Sequence, residues 1–398
     1  MSVRNTCPSC GASARSIFYK MENAPAHSVL LLETRQAALE YPQGRIALGL
    51  CQACGFIWNT AFDPALHEYS ARYEATQAYS ATFNAFHRRL AERLIERYDL
   101  HGKDLIEIGC GQGEFLSLLC ELGGNRGVGF DPAYVDGRLD GPARDQLRFI
   151  ADFYSEKYVT YQGDFVCCKM TLEHIQPVAE FMGTVRRSVG DRPETVVFFQ
   201  IPNATRLLRD AAFWDVYYEH CSYFSPGALA RLFRRSGFDV LDLWTDYEDQ
   251  YLMIEARPRV GKAQRPAPPA LAQEETPEVI AAEVALFTEN VRRALREWRR
   301  KMDRLRADGR RAVIWGGGSK GVAFLTTLGL RDEIPYVVDI NPRKHGTFMA
   351  GTGQEIVGPE RLAADRPDVV IVMNPVYCRE IQVELDRLGV AAELWPVG

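Results

Sequence analysis

The sequence predicts an α/β protein in three units, a small cysteine-paired N-terminal unit and two Rossmann-like units. Three observations carry this. Two Cys-x-x-Cys-Gly pairs, Cys7/Cys10 and Cys51/Cys54, lie in the first 60 residues. Two passages, starting near Asp104 and Arg311, each run from a short apolar strand through a glycine turn into an amphipathic helix. A chain of 398 residues has room for two or three domains at about 150 residues each.

Composition narrows the class. The chain is 46% hydrophobic and 25% charged, which is ordinary for a globular protein with a sizeable core. A formal charge of −5 and a pI near 5.9 give no overall attraction to nucleic acid or an anionic membrane, so neither is an expected partner. No apolar run approaches membrane-spanning length, and the opening MSVRNTCPSC lacks a signal-peptide pattern; a cytoplasmic protein is expected. Ten cysteines are too few for a disulfide scaffold of this size. The six outside the pairs (Cys110, Cys120, Cys167, Cys168, Cys221 and Cys378) read as small core hydrophobes.

Taken in order, residues 1–68 make the metal-binding unit, with short β runs expected at 28–33 and 45–50. Residues 69–258 make the first Rossmann-like unit. One or two helices are expected over about 70–100, then strands at 104–108, 126–130, 165–170 and 195–201 with helical stretches between them, the pattern of a mainly parallel sheet. Residues 257–276 are rich in proline and alanine and read as a linker. Residues 259–398 take in that linker, a charged amphipathic helix over about 277–306, and a second unit with strands at 311–315, 336–339, 368–372 and 392–395.

Each cysteine pair supplies two thiolates from one tight turn, and the glycine that follows permits the backbone to close it. Cys7, Cys10, Cys51 and Cys54 are therefore the expected ligands of a tetrahedral zinc ion. Four thiolates leave no open coordination position, so the zinc would be structural. A redox dithiol is the competing reading.

In Asp104-Leu-Ile-Glu-Ile-Gly109-Cys-Gly111-Gln-Gly113, the glycines let a ligand approach the backbone where helix amides point outward. Asp131 ends the next strand about twenty residues on, placed to accept both hydroxyls of a ribose. The spacing fits a nicotinamide cofactor and S-adenosylmethionine alike. The form Glu107-x-Gly109-Cys-Gly111-x-Gly113 resembles motif I of class I S-adenosylmethionine-dependent methyltransferases. That resemblance implies Asp152 and Phe153 near the adenine, and Met170, Glu173 and His174 in the loop over the methionine part. Tyr73, Gln77, Ser80 and Phe83 fall on one face if 73–83 is helical, so Tyr73 and Ser80 are expected in a lid or cofactor contact, with a solvated helix surface as the alternative.

Tyr217-Tyr218-Glu219-His220-Cys-Ser-Tyr223 sets acid–base and hydrogen-bonding side chains just after a strand ending near Pro202, beside the carboxyl ends of the sheet. Histidine suits proton removal near neutral pH, and a neighbouring carboxylate or phenol orients it.

With this segment the whole chain is similar to the sugar C-methyltransferases of deoxysugar and polysaccharide biosynthesis: a four-cysteine zinc domain, a class I methyltransferase core with an aromatic-Glu-His segment, and a C-terminal Rossmann-like domain. The resemblance implies that His220 removes a proton beside a keto group on a nucleotide-linked sugar, with Tyr217 and Glu219 positioning it or stabilising the enolate oxygen. It implies acceptor contacts from Asn203, Tyr223 and Gln250, although Asp249 and Gln250 stand where family members often carry a glycine-containing strand.

The second turn, Gly316-Gly-Gly318-Ser319-Lys320-Gly321, keeps a dinucleotide register when read alone. In the resembled family this domain helps hold the nucleotide-sugar, which implies contacts from Gly318, Ser319, Lys320, Asn341, Lys344 and Asn374. Methyl transfer to oxygen or nitrogen, a nicotinamide-dependent oxidoreductase and a non-catalytic zinc scaffold are the rival functions. The oligomeric state stays open.

Overall fold

In the computed structural model, residues 6–13, 15–67, 69–70, 72–139, 141–261 and 269–398 are described. Residues 262–268 of the expected linker lie outside them.

The chain opens with β1 (Arg15–Pro25), α1 (Arg35–Leu39), β2 (Gln43–Cys51) and β3 (Ile57–Asn59). Then come α2 (Ala81–Tyr98), β4 (Asp104–Ile108), α3 (Glu114–Gly123), β5 (Arg126–Phe130), β6 (Leu147–Ile150) and β7 (Phe165–Lys169). They continue as α4 (Val178–Val189), β8 (Val196–Pro202), α5 (Ala204–Arg209), β9 (Ser222–Tyr223), α6 (Pro226–Arg235), β10 (Phe238–Asp246) and β11 (Tyr251–Pro258). The C-terminal part holds α7 (Pro277–Ala307), β12 (Ala312–Trp315), α8 (Ser319–Leu328), β13 (Tyr336–Val338) and β14 (Glu355–Val357). It ends with α9 (Arg361–Asp365), β15 (Val369–Val372), α10 (Cys378–Leu388) and β16 (Glu393–Pro396).

Three sheets result. The largest has the order β10-β11-β8-β7-β4-β5-β6. Its strands pair in parallel from β6 to β8, while β11 is antiparallel to β8 and to β10. Chain direction across the sheet reverses between β4 and β7, the topological switch point where open α/β sheets bind ligands. The C-terminal sheet, β14-β13-β12-β15-β16, is all parallel with its switch point between β12 and β15. Each glycine turn follows the strand at a switch point.

The third sheet, β1-β2-β3-β9, is antiparallel and explains how the N-terminal unit serves the rest of the molecule. Strand β9 belongs to the Tyr-Tyr-Glu-His segment, and its Ser222 and Tyr223 pair with Trp58 and Ile57. The Asn59 amide also donates to the Cys221 carbonyl at 2.9 Å. Tyr218 is fully buried against this sheet. A Cβ on Gly44 would fall 2.1 Å from the Tyr218 ring, so glycine is required there. The apolar residues of β1 and β2 share one core with α5, residues 211–218, α7 and α8.

Two expectations need correction. The run at 28–33 forms no strand, apart from an isolated bridge between Leu30 and Tyr73; the first strand is β1, at 15–25. Residues 73–80 are not helical. Ser80 is the N-cap of α2, its hydroxyl accepting from the Phe83 amide at 3.2 Å, so Tyr73 and Ser80 do not share a helical face.

Candidate active site

Both switch points open on one cleft of about 1330 Å³. On the β4 side, Gly109 (φ +71°), Gly111 (φ +56°) and Gly113 (φ +91°) turn the chain into α3. A Cβ on Gly109 would fall 1.9 Å from the Thr171 hydroxyl, so the turn is closed to larger residues. Asp131 Oδ2 accepts from the Gly111 amide at 2.9 Å and Oδ1 from the Ala133 amide at 2.8 Å, fixing the carboxylate at the lip of the turn. Burial pushes its pKa up to about 6. Glu107 is buried within β4 and accepts from the Leu116 amide at 3.1 Å. Lys169 ends the neighbouring β7, its ammonium 2.9 Å from His87 Nε2.

The wall between the two turns is the Tyr-Tyr-Glu-His segment. His220 is 5% exposed, with the Tyr217 ring centroid 4.1 Å from its own and the His174 ring 4.8 Å away. Burial, followed by the charges of His174 and Lys320, holds its pKa well below the usual histidine range, so the imidazole is neutral. Burial raises the Tyr217 phenol well above its ordinary value, which keeps it a proton donor. Two buried carboxyls diverge here. Glu173, 4.0 Å from His220 Nε2, is pushed up to about 8 by burial, and both of its oxygens lack a hydrogen-bond partner. Burial also opposes ionisation of Glu219, but His27 and the Ser28 hydroxyl outweigh it and hold the carboxyl at about 2. His27 Nδ1 stands 3.1 Å from Glu219 Oε1, and the Ser28 amide and hydroxyl donate to the same oxygen at 2.7 and 2.5 Å.

Opposite lies the β12 turn. With the Ser28 hydroxyl proton given to Glu219, Ser28 Oγ accepts from Ser319 Oγ at 2.8 Å, tying the N-terminal unit to this side. Lys320 Nζ donates to Asp215 Oδ2 at 2.7 Å, and Lys344 Nζ to Asp339 Oδ2 at 3.0 Å. Asn374 and Gln250 exchange two side-chain hydrogen bonds of 2.9 Å, and Asn203 Nδ2 donates to the Asp249 carbonyl. A strap over 73–80 closes one end. Glu74 accepts from Arg138 at 2.5 Å and from Asn341 at 3.1 Å, while Ser80 donates to Glu380 at 2.8 Å.

The structure gathers nearly all the sequence-derived site residues on this cleft. Its lining includes Tyr73, Ser80, Glu107, Gly109, Gly111, Asp131, Phe153, Met170, Glu173 and His174 on the β4 side. The wall and far side contribute Asn203, Tyr217, Glu219, His220, Tyr223, Gln250, Gly318, Ser319, Lys320, Asn341, Lys344 and Asn374. Two residues are not in the lining. Asp152 turns away to accept from Tyr158 at 2.5 Å and Lys157 at 3.0 Å, leaving the exposed Phe153 ring at the mouth. Gly113 is the N-cap of α3, and a Cβ there would fall 2.4 Å from the Phe149 ring. Sequence reasoning missed His27 and Ser28, which lie 191 or more residues from the carboxylate they hold, and also Lys169 with His87. An unexplained lysine at the end of an otherwise apolar strand was the one available signal.

Away from the cleft, the four N-terminal cysteines converge. Cys7 Sγ lies 3.7 Å from Cys54 Sγ, and Cys10 Sγ 3.6 Å from Cys51 Sγ. A tetrahedron with metal–sulfur bonds of about 2.3 Å has edges of roughly 3.8 Å, so the thiols fit a single ion. Contact with Cys54 and burial hold the Cys7 thiol up and burial pushes Cys51 up to about 11, while the contact with Cys7 lowers Cys54 to about 5; a bound cation would favour the thiolate form of the raised pair. The remaining cysteines behave as expected: five are buried and Cys378 is half-buried.

Residues 79–243 match a methyltransferase domain family, and residues 255–391 match the C-methyltransferase C-terminal domain. The chain is 31% identical over 327 residues to the C-methyltransferase NovU of Streptomyces niveus, covering 78% of this chain and 75% of that one. Among solved structures it is similar to the 1,6-didemethyltoxoflavin-N1-methyltransferase of Burkholderia thailandensis (16% identity, TM-score 0.33, 46% of this chain and 91% of that one). It is also similar to the magnesium protoporphyrin IX methyltransferase of Synechocystis (12% identity, TM-score 0.36, 46% and 89%). The matched domain pair and the extent of the NovU likeness place the chain in the C-methyltransferase family, as an S-adenosylmethionine-dependent methyltransferase.

Proposed function

We propose that the protein methylates a carbon beside a ketone on a nucleotide-linked sugar, with His220 as the base and a structural zinc on Cys7, Cys10, Cys51 and Cys54. One observation carries the reading: a buried neutral imidazole, flanked by a phenol, lines the same cleft as both glycine turns. Carbon must become a nucleophile before it can take a methyl group, and a base with an oxyanion partner does this.

S-adenosylmethionine supplies an electrophilic methyl on its sulfonium. His220 takes the proton from the carbon beside the ketone, and the C–H electron pair forms the enolate. The Tyr217 phenol donates a hydrogen bond to the oxygen on which charge grows. Glu219, ionised and held by His27 and Ser28, fixes the backbone that presents both side chains. Asp131 and the glycine turn bind the ribose, and Ser319, Lys320, Asn341 and Lys344 face the nucleotide of the acceptor. Methyl transfer to oxygen or nitrogen would use the same cleft with less demand on the base; the family's C-methyltransferase C-terminal domain favours carbon.

The test is transfer of an isotopically labelled methyl group to a panel of nucleotide-linked keto sugars, with the product located by NMR. A methyl bonded to carbon next to the ketone is expected. A methyl on oxygen or nitrogen, or no transfer to any keto sugar, would overturn the proposal.

A further inference from the structure

Lys169 is the last residue of β7, 8% exposed, and lines the cleft. A buried ammonium is costly unless it is paired. Its hydrogen-bond partner among the described residues is His87 Nε2 at 2.9 Å. An ammonium only donates, so Nε2 accepts and the ring proton sits on Nδ1. Burial, and then the charge of Lys169, lowers the His87 pKa to about 2, so this partner is neutral. The ammonium also lies 3.6 Å from the centroid of the Phe115 ring, which fixes its position without neutralising it. Burial lowers the Lys169 pKa to about 8, against the nearby carboxyls of Glu107 and Glu114, which favour its charge. With His87 its one hydrogen-bonded side chain among the described residues, the ammonium has donors to spare, facing a cleft.

Its neighbours set the chemistry of what it would meet. Strands β5, β4 and β7 are consecutive in the sheet, so Asp131 at the end of β5 and Lys169 at the end of β7 stand about two strand spacings apart, roughly 10 Å. Between them are the Gly109 turn and the buried carboxyl of Glu107, with Glu114 at the first turn of α3. A ribose on Asp131, a four-atom chain across the glycine turn and an amino-acid head match this run of groups. The head would find acidic groups for its ammonium and one cation for its carboxylate.

We propose that Lys169 Nζ, steadied by His87 and Phe115, binds the α-carboxylate of the methionine part of S-adenosylmethionine. Lys169 is thus a cofactor-specificity residue, and His87 is a positioning residue that acts through it. The inference rests on the cofactor alone and is independent of which acceptor is methylated.

The experiment compares the binding of S-adenosylhomocysteine with that of its decarboxylated analogue, by calorimetry, for the wild type, Lys169→Met and Lys169→Arg. Methionine keeps much of the length of the lysine stem while removing the buried charge, and thermal unfolding without ligand checks that each variant is folded. A charge-assisted hydrogen bond in a buried site predicts that the wild type prefers the carboxylated ligand about 10- to 100-fold. Lys169→Met should bind both ligands within about threefold of each other, by weakening only the carboxylated one, and Lys169→Arg should retain part of the preference. Equal weakening of both ligands in folded Lys169→Met would overturn the proposal, and so would a preference that survives the substitution. A wild type that binds S-adenosylhomocysteine without discriminating would also overturn it. A wild type that binds neither ligand would contradict the cofactor assignment itself, and this inference with it.

Discussion

Replacing His27 with phenylalanine should damage the active site through Glu219, although His27 lies outside the cleft lining. The imidazole is buried between Glu219 and the rings of His67, Tyr69 and Tyr73, so phenylalanine fills its volume and removes only its polarity. Holding the Glu219 carboxyl at about 2 instead of 4.5 favours the ionised form by roughly 3 kcal/mol. Ser28 supplies part of this with two hydrogen bonds, so loss of the imidazole is expected to cost about 2 kcal/mol. Urea unfolding of the wild type, His27→Phe, Glu219→Gln and the double variant at pH 7 closes a double-mutant cycle. A coupling of about 1–2 kcal/mol is expected, because the neutral amide introduced by Glu219→Gln no longer needs the imidazole. The pH dependence carries the sign. A depressed carboxyl contributes stability that is present above about 4.5 and lost as pH falls toward 2, and His27→Phe should flatten that fall. Additivity within about 0.3 kcal/mol would refute the claim that the N-terminal unit holds the catalytic segment through this pair.

Three further outcomes are expected. The purified protein should carry one zinc per chain by elemental analysis, and Cys51→Ser should lower both the metal content and the unfolding midpoint; full zinc retention in the variant would argue against a four-thiolate site. Burial, reinforced by nearby charge, holds His67 and His174 down at about 4 and 3, so stability should fall as pH drops below about 6.5, where the unfolded chain takes up protons and the folded one does not. Each should remove about 1.5 kcal/mol between pH 6.5 and 5, read by denaturant unfolding across that range; a flat profile would show these rings protonating in place. Gly109→Ala forces a Cβ onto Thr171 at a positive φ and should weaken S-adenosylhomocysteine binding at least tenfold by calorimetry, with unchanged affinity counting against that turn as the cofactor site.

What could be read from the sequence follows from how local each feature is. Strand β4, its glycine turn and α3 were legible because a buried strand, left-handed glycines and an amphipathic helix are written in consecutive residues. The two cysteine turns were legible for the same reason, although 41 residues separate Cys10 from Cys51. Residues 73–80 misled because Tyr73, Gln77 and Ser80 keep helical spacing, while the Ser80 hydroxyl caps α2 and the segment spends its polar groups on the C-terminal unit through Asn341, Tyr377 and Glu380. The partners of Glu219 were out of reach: nothing around His27 and Ser28 marks them until β3 pairs with β9 and brings the N-terminal sheet against the cleft. Asp152 was misplaced because sequence fixes its position in the loop but not the side to which its carboxylate turns, and Tyr158 and Lys157 decide that.

The central claim is that His220 removes a carbon-bound proton, and deuterium wash-in tests it without waiting for methyl transfer. A nucleotide-linked keto sugar that the enzyme methylates would be incubated with enzyme and S-adenosylhomocysteine in heavy water, using wild type and His220→Asn, and followed by mass spectrometry. Deuterium beside the ketone is expected with the wild type and at least a hundredfold slower exchange with His220→Asn, with S-adenosylhomocysteine still bound. Exchange at the wild-type rate in the variant would contradict the claim.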